Sequence, residues 1–158
     1  MAEPLADGVI RRIGQSSELY YRLILLVAPA GGGKTAALQD VHERTAALLV
    51  NVNLELSRRM LDLTDRQRTL QLPQILAGIV GVSEAAIVLL DNVEILFDVS
   101  LKQDPLRLLQ GLSRDKTVVA AWSGSVDGDH LLYATPDHPE YRRYPLRDFL
   151  IVNSEPVA

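Results

Sequence analysis

Leu23-Ile24-Leu25-Leu26-Val27-Ala28-Pro29-Ala30-Gly31-Gly32-Gly33-Lys34-Thr35 joins an unbroken apolar run to a glycine-rich loop that closes on Gly-Lys-Thr. The pattern is that of a phosphate-binding P-loop, a strand delivering a loop that opens a helix. Glycines at 31, 32 and 33 permit backbone conformations closed to residues with a Cβ and allow close approach to a phosphate. Successive N–H groups then converge into an anion nest at the positive end of the following helix. Lys34 supplies a point charge for the β and γ phosphates, and the Thr35 hydroxyl is a ligand for Mg²⁺. The first motif position is Ala28 instead of glycine, which meets the same demand for a small side chain. Ala28, Pro29, Ala30, Gly31, Gly32, Gly33, Lys34 and Thr35 are therefore the expected nucleotide-binding residues.

A second stretch, Ala85-Ala86-Ile87-Val88-Leu89-Leu90-Asp91-Asn92, has four large apolar residues running into an aspartate. Alone, this is a strand ending in a capped turn. Downstream of Gly33-Lys34-Thr35 it reads as a Walker B strand lying beside the P-loop strand, with Asp91 at the magnesium end of the site.

From these two anchors the rest of the chain falls into alternating elements. A short helix is expected around Val9 to Ile13, and Glu18 to Val27 leads into the first strand. Helix follows from Lys34 to about Arg44, with Ala36, Leu38 and Val41 packing inward. Ala46 to Val52 reads as a strand. Across Leu54 to Arg68, Leu56, Met60 and Leu63 recur at helical spacing, and Pro73 opens a further short helix with Gly78 and Gly81 near its end. Val93 to Gln103 is irregular. Asp104-Pro105 supplies an N-cap and N1 pair for a helix carrying Leu106, Leu108, Leu109 and Leu112. Thr117 to Trp122 is a strand ending at Ser123-Gly124, Ser125 to Asp148 is polar and turn-rich, and Phe149 to Asn153 is the last strand. Alternation of strand and helix predicts an α/β fold of three layers with a mainly parallel, five-stranded sheet. The expectation is one domain over 1–158, with 1–17 as an N-terminal extension.

The segment between the two motifs holds Ala46 to Val52, so an additional strand fits between the P-loop and Walker B strands. In this respect the chain resembles the additional-strand P-loop NTPases, which include AAA-type and RecA-like proteins. That resemblance implies a polar γ-phosphate sensor at the tip of the strand after Walker B, where Ser123 stands. It also implies a water-polarising glutamate after the Walker B aspartate. Here that position is Asn92, which is no proton acceptor, and Glu94 substitutes only if its loop turns inward. The chain closes near the last strand, so the helical lid of AAA-type proteins is expected to be absent. No Asn-Lys-x-Asp motif for guanine occurs, which favours ATP.

At a finer level, Leu89-Leu90-Asp91-Asn92-Val93-Glu94-Ile95-Leu96-Phe97, then Ser113-Arg114 before Thr117-Val118-Val119-Ala120-Ala121-Trp122, resembles the BrxF family. So does Leu132-Tyr133-Ala134-Thr135-Pro136-Asp137-His138-Pro139-Glu140-Tyr141-Arg142. BrxF proteins are the small P-loop proteins of type III BREX phage-defence systems in bacteria. The resemblance runs from the P-loop to the last strand, and its most specific segment is His-Pro-Glu-Tyr-Arg. It implies a cytoplasmic protein working beside a larger ATPase, a DNA methyltransferase and a phosphatase-like protein. The expected role is a nucleotide-responsive subunit with weak or partner-dependent ATP hydrolysis. Nucleotide is expected to drive homo-oligomer formation, with Arg142 or Arg143, or else Arg114, crossing to a neighbour's γ-phosphate as a charged planar fork.

Composition bounds the alternatives. The 158 residues include no cysteine, which excludes disulfides, zinc-thiolate sites and thiol catalysis. A net charge of −4 argues against a generally basic nucleic-acid surface. The N-terminus lacks a signal peptide's apolar segment, and no apolar run approaches the ~20 residues of a membrane span. Two alternative functions stand: a self-sufficient slow ATPase using Glu94, and a DNA-binding module resting on Arg58, Arg59, Arg66 and Arg68. His42, His130 and His138 lack metal-ligand spacing. Asp127-Gly128-Asp129 lacks the later glutamate of a calcium loop, and Tyr133, Tyr141 and Tyr144 read as packing or interface residues.

Overall fold

The computed structural model describes residues 4–31 and 33–153. Gly32 and the ends of the expected 1–158 domain lie outside the described residues. The elements, in order, are α1 (Leu5–Ser16), β1 (Leu23–Ala28), α2 (Lys34–Arg44), β2 (Leu48–Asn51), α3 (Val52–Arg59), α4 (Asp65–Gly81), β3 (Ile87–Asp91), α5 (Pro105–Leu112), β4 (Thr117–Asp127), β5 (His130–Tyr133), β6 (Arg142–Pro145) and β7 (Leu150–Asn153). Two 3-10 turns, Val93–Phe97 and Val99–Leu101, fill the segment expected to be irregular.

Five strands form a parallel sheet in the order β2-β3-β4-β1-β7. The expected adjacency of the Ile87–Asp91 and Leu23–Ala28 strands is corrected by this order: β4 lies between them. The Ala46–Val52 segment supplies β2, which is an edge strand and not the intervening one. Every residue of β1 is buried, as a central parallel strand covered on both faces requires. Its side chains alternate between two cores. Leu23, Leu25 and Val27 pack on the side of α3, α4 and α5, whereas Ile24 and Leu26 pack against α1 and α2. In α2, Ala37, Leu38 and Val41 face inward and Ala36 is exposed. Each fully buried Leu or Ile contributes roughly 1.5–3 kcal/mol. Among the described residues no helix is long and apolar enough to cross a membrane.

Three further expectations are revised. Helix α1 is longer than Val9 to Ile13 and docks against α2, β1 and β7. The Leu54–Arg68 pattern divides at Met60, where α3 ends, and Thr64 opens α4 with a reciprocal capping box to Gln67. Pro73 lies inside α4 instead of opening a helix. A proline there deprives the carbonyl four residues back, that of Thr69, of its N–H. The side-chain amide of Gln103 donates to that carbonyl at 2.8 Å and to Leu101 O at 2.8 Å.

The largest revision concerns Ser125 to Asp148. Strand β4 does not stop at Ser123-Gly124 but continues to Asp127, turns at Gly128, and pairs antiparallel with β5, which pairs antiparallel with β6. The sheet therefore has seven strands, two more than expected.

Candidate functional site

Parallel pairing puts the carboxyl ends of β1 and β3 at one edge of the parallel sheet, beside the point where β4 runs on past it, the usual crevice for ligands in open α/β folds. In register, Ala28 at the end of β1 lies opposite Ser123 of β4, and Asp91 at the end of β3 lies opposite Asn51 of β2. The loop after β1 turns through Gly31 (φ 77°) and Gly33 (φ 87°), positions where a Cβ would be strained. Gly33 is the N-cap of α2, and no side chain among the described residues caps that helix. By contrast α3, α4 and α5 are each capped by a side-chain oxygen, from Asn51, Thr64 and Asp104. The first N–H groups of α2 thus lack the side-chain acceptor that those three helices have, and no acidic side chain sits in its first turn.

Lys34 is 8% exposed, and its Nζ donates to Ala28 O at 3.1 Å and Pro29 O at 2.8 Å. Burial pulls the ammonium below its ordinary range, opposed by the charges of Glu94 and Asp91. Thr35 Oγ1 donates to Asp91 Oδ2 at 2.7 Å, and the Asn92 N–H donates to Asp91 Oδ1 at 2.9 Å. Both carboxylate oxygens are therefore held, one by a hydroxyl and one by the backbone.

Asn92 takes the left-handed conformation, φ 55°, which asparagine tolerates better than most residues. The chain then enters the 3-10 turn that brings Glu94, half-buried, to Ser123: Ser123 Oγ donates to Glu94 Oε2 at 3.3 Å. The Glu94 carboxyl is raised above its ordinary range by burial, against the opposing effects of the Ser123 hydrogen bond and of Lys34. The inward loop that Glu94 needs is thus present, and Lys34, Thr35, Asp91, Glu94 and Ser123 meet at one sheet edge.

The arginines are dispersed. Arg142 Nη2 donates to Gln103 O at 2.8 Å within the same chain, so its head group is already engaged. Arg143 is exposed and approaches His130 Nδ1 at 3.3 Å. Arg114 lies over the Tyr20 ring, just before the opposite end of β4. Arg58 and Arg59 pair with Glu55, and Arg68 donates to Leu63 O; Arg66 is exposed. His42 contacts Ala47 O, and His138 accepts from the Glu140 N–H. Among the described residues there is no group of three or more His, Cys, Asp or Glu suited to hold a metal ion.

Behind Glu94 lies an aromatic cluster that holds Tyr133 and Tyr144, two of the tyrosines expected to pack, together with Phe97 and Trp122, which the sequence did not single out. Phe97, in the same turn, stacks on Tyr133 at 3.5 Å and 9°, and Trp122 meets Phe97 edge-on at 5.1 Å. Burial, with the nearby charges of Glu94 and Glu140, pushes the Tyr133 phenol up to about 12. The available signal was Phe97, three residues beyond Glu94, and Trp122, one before Ser123.

No family model, curated protein or solved structure matches the chain.

Proposed function

We propose that this protein binds ATP with Mg²⁺ on an additional-strand P-loop core and serves as a nucleotide-responsive subunit of a BREX-type defence assembly. The observation that carries the binding reading is the Thr35–Asp91 pair at 2.7 Å beside buried Lys34. A cation, a hydroxyl and a carboxylate converge there from two strand ends, next to a helix N-terminus with no side-chain cap. That donor set fits the group: Lys34 and the α2 amides suit phosphate oxygens, while Thr35 and Asp91 suit a hard divalent cation. When bound, Mg²⁺ would offset phosphate charge. The subunit role rests on the resemblance to BrxF, whose partners would be a larger ATPase, a methyltransferase and a phosphatase-like protein.

Hydrolysis by the isolated chain is slow in this reading, because Asn92 occupies the position where a water-polarising carboxylate is expected. The inward-facing Glu94, hydrogen-bonded to Ser123, favours a second reading in which Glu94 itself is the base of a slow ATPase. In homo-oligomers, Arg143 is a better candidate than Arg142 to reach a neighbour's phosphate, since Arg142 is committed to Gln103 O. Calorimetric titration with Mg·ATP tests binding. Turnover with and without the partner proteins separates the two readings of Glu94, the second requiring that Glu94→Gln abolish activity of the isolated chain.

A further inference from the structure

The β5–β6 hairpin is built onto the site more tightly than a surface excursion requires. Its first attachment is at β4. The Trp122 indole folds along its own strand and donates from Nε1 to Leu132 O at 3.0 Å. It passes over Gly124, where a Cβ would stand 2.0 Å from Leu132 O and 2.9 Å from Trp122 Nε1. Only glycine permits that crossing. Between Trp122 and Gly124 sits Ser123, the residue bonded to Glu94.

A second attachment runs through the turn that carries Glu94. Phe97 stacks on Tyr133 of β5, and Tyr133 lies opposite Gly124 in the β4–β5 register. The third lies beyond that turn. Arg142 of β6 donates to Gln103 O, and the Tyr144 hydroxyl donates to Asp104, the N-cap of α5, at 2.9 Å. The hairpin thus grips both the part of β4 bearing Ser123 and the Val93–Asp104 segment bearing Glu94. Those two elements touch at the Ser123–Glu94 hydrogen bond.

We propose that the β5–β6 hairpin is the output element of the phosphate site, and that Tyr133, acting through Phe97, is a positioning residue for Glu94. Resting on the ATP-binding reading, this adds a direction of transmission. A γ-phosphate near Lys34 competes with Glu94 for Ser123 and repels the Glu94 carboxylate. Shifting the Glu94 turn displaces Phe97 from Tyr133 and carries the hairpin with it. The linkage is reciprocal: whatever grips the hairpin changes ATP affinity by the same factor. ADP, lacking the γ-phosphate, leaves the contact in place.

Trp122 is the only tryptophan in the chain and lies within this path, so its emission reports the event directly. Mg·ATP and Mg·ADP are titrated into the full chain, with binding followed by calorimetry and Trp122 emission recorded in parallel. The expected result is a change in emission with Mg·ATP and little with Mg·ADP. Tyr133→Leu should lose most of that response while still binding Mg·ATP, with a calorimetric affinity equal to or higher than wild type, because the Glu94 turn then yields without moving the hairpin. Ser123→Ala should lose the response as well, and Arg147→Ala, at an exposed position just after β6, should keep it. Circular dichroism on each variant verifies folding, and hydrogen exchange of residues 130–145 gives a second readout that needs no ring intact. Calorimetric binding of Mg·ATP without any change in Trp122 emission or hairpin exchange overturns the proposal and leaves the ATP reading standing. An equal response in Tyr133→Leu also overturns it. Absence of calorimetric binding overturns the ATP reading and this role together.

Discussion

The Gln103 side-chain amide donates to the Thr69 carbonyl at 2.8 Å, the acceptor orphaned by Pro73 inside α4. A distant segment therefore satisfies a helix interior that the helix cannot satisfy itself. Gln103→Ala should cost about 1 kcal/mol by stranding a half-buried carbonyl. In a Pro73→Ala background, where residue 73 regains an N–H, the same change should cost less. Urea denaturation of the four proteins of this cycle measures the coupling, and strictly additive effects would show that the amide does not serve the gap.

Gly124 gives a second stability prediction. Gly124→Ala should destabilise by about 3 kcal/mol, because the new methyl meets a backbone carbonyl that cannot yield without moving β5. Gly111→Ala is the control: it lies in α5 with no atom within 4 Å of a Cβ. That change should stabilise by roughly 0.5 kcal/mol through helix propensity. Thermal melts that rank the two substitutions the other way would remove the crossing of Trp122 over Gly124 as a constraint.

These two residues also mark where sequence and structure part. Leu23 to Thr35 and Ile87 to Asp91 were legible because burial on both faces demands continuous apolar strands, and a glycine-rich loop supplies the turn into α2. Asp104-Pro105 announced α5 by local chemistry alone. The strand order was less accessible, because which strand lies between β1 and β3 is decided by packing of the whole sheet. The β5–β6 hairpin escaped notice because Asp127-Gly128-Asp129 and the prolines at 136, 139 and 145 read as loop. That stretch becomes strands through antiparallel ladders with β4 and through contacts distant in sequence, among them the Trp122–Leu132 bond and the aromatic stack. Pro73 was misread for the same reason: its compensation comes from Gln103, thirty residues away.

Glu94 supplies a pH prediction with a definite sign. Its folded carboxyl titrates above the ordinary 4.5, mainly through burial. A raised acid contributes stability that is full below the unfolded value and is lost as pH rises through the folded one. Glu94→Gln removes that titration. The stability of wild type relative to Glu94→Gln should therefore fall as pH rises from about 4 towards neutrality. Denaturation midpoints of both proteins across that range provide the test, and a difference independent of pH would contradict an inward, desolvated Glu94.

The metal role proposed for the paired side chains is tested by substitution. Thr35→Val and Asp91→Ala should each shrink the advantage that Mg²⁺ gives to ATP binding, because each removes one oxygen of the 2.7 Å pair. Titrations run with Mg²⁺ and with EDTA measure that advantage. Equal losses in both conditions would exclude the pair from the metal's coordination sphere.

The account depends most on Lys34. On the ATP-binding reading its ammonium leaves Ala28 O and Pro29 O for the triphosphate, and a charge-assisted contact of that kind is worth about 1.5–3 kcal/mol. Calorimetric titration of Mg·ATP into wild type and into Lys34→Ala measures it directly. The account predicts saturable binding to wild type and an affinity lower by about tenfold or more in the variant. Equal affinity in the two proteins, or no binding by wild type, would contradict it.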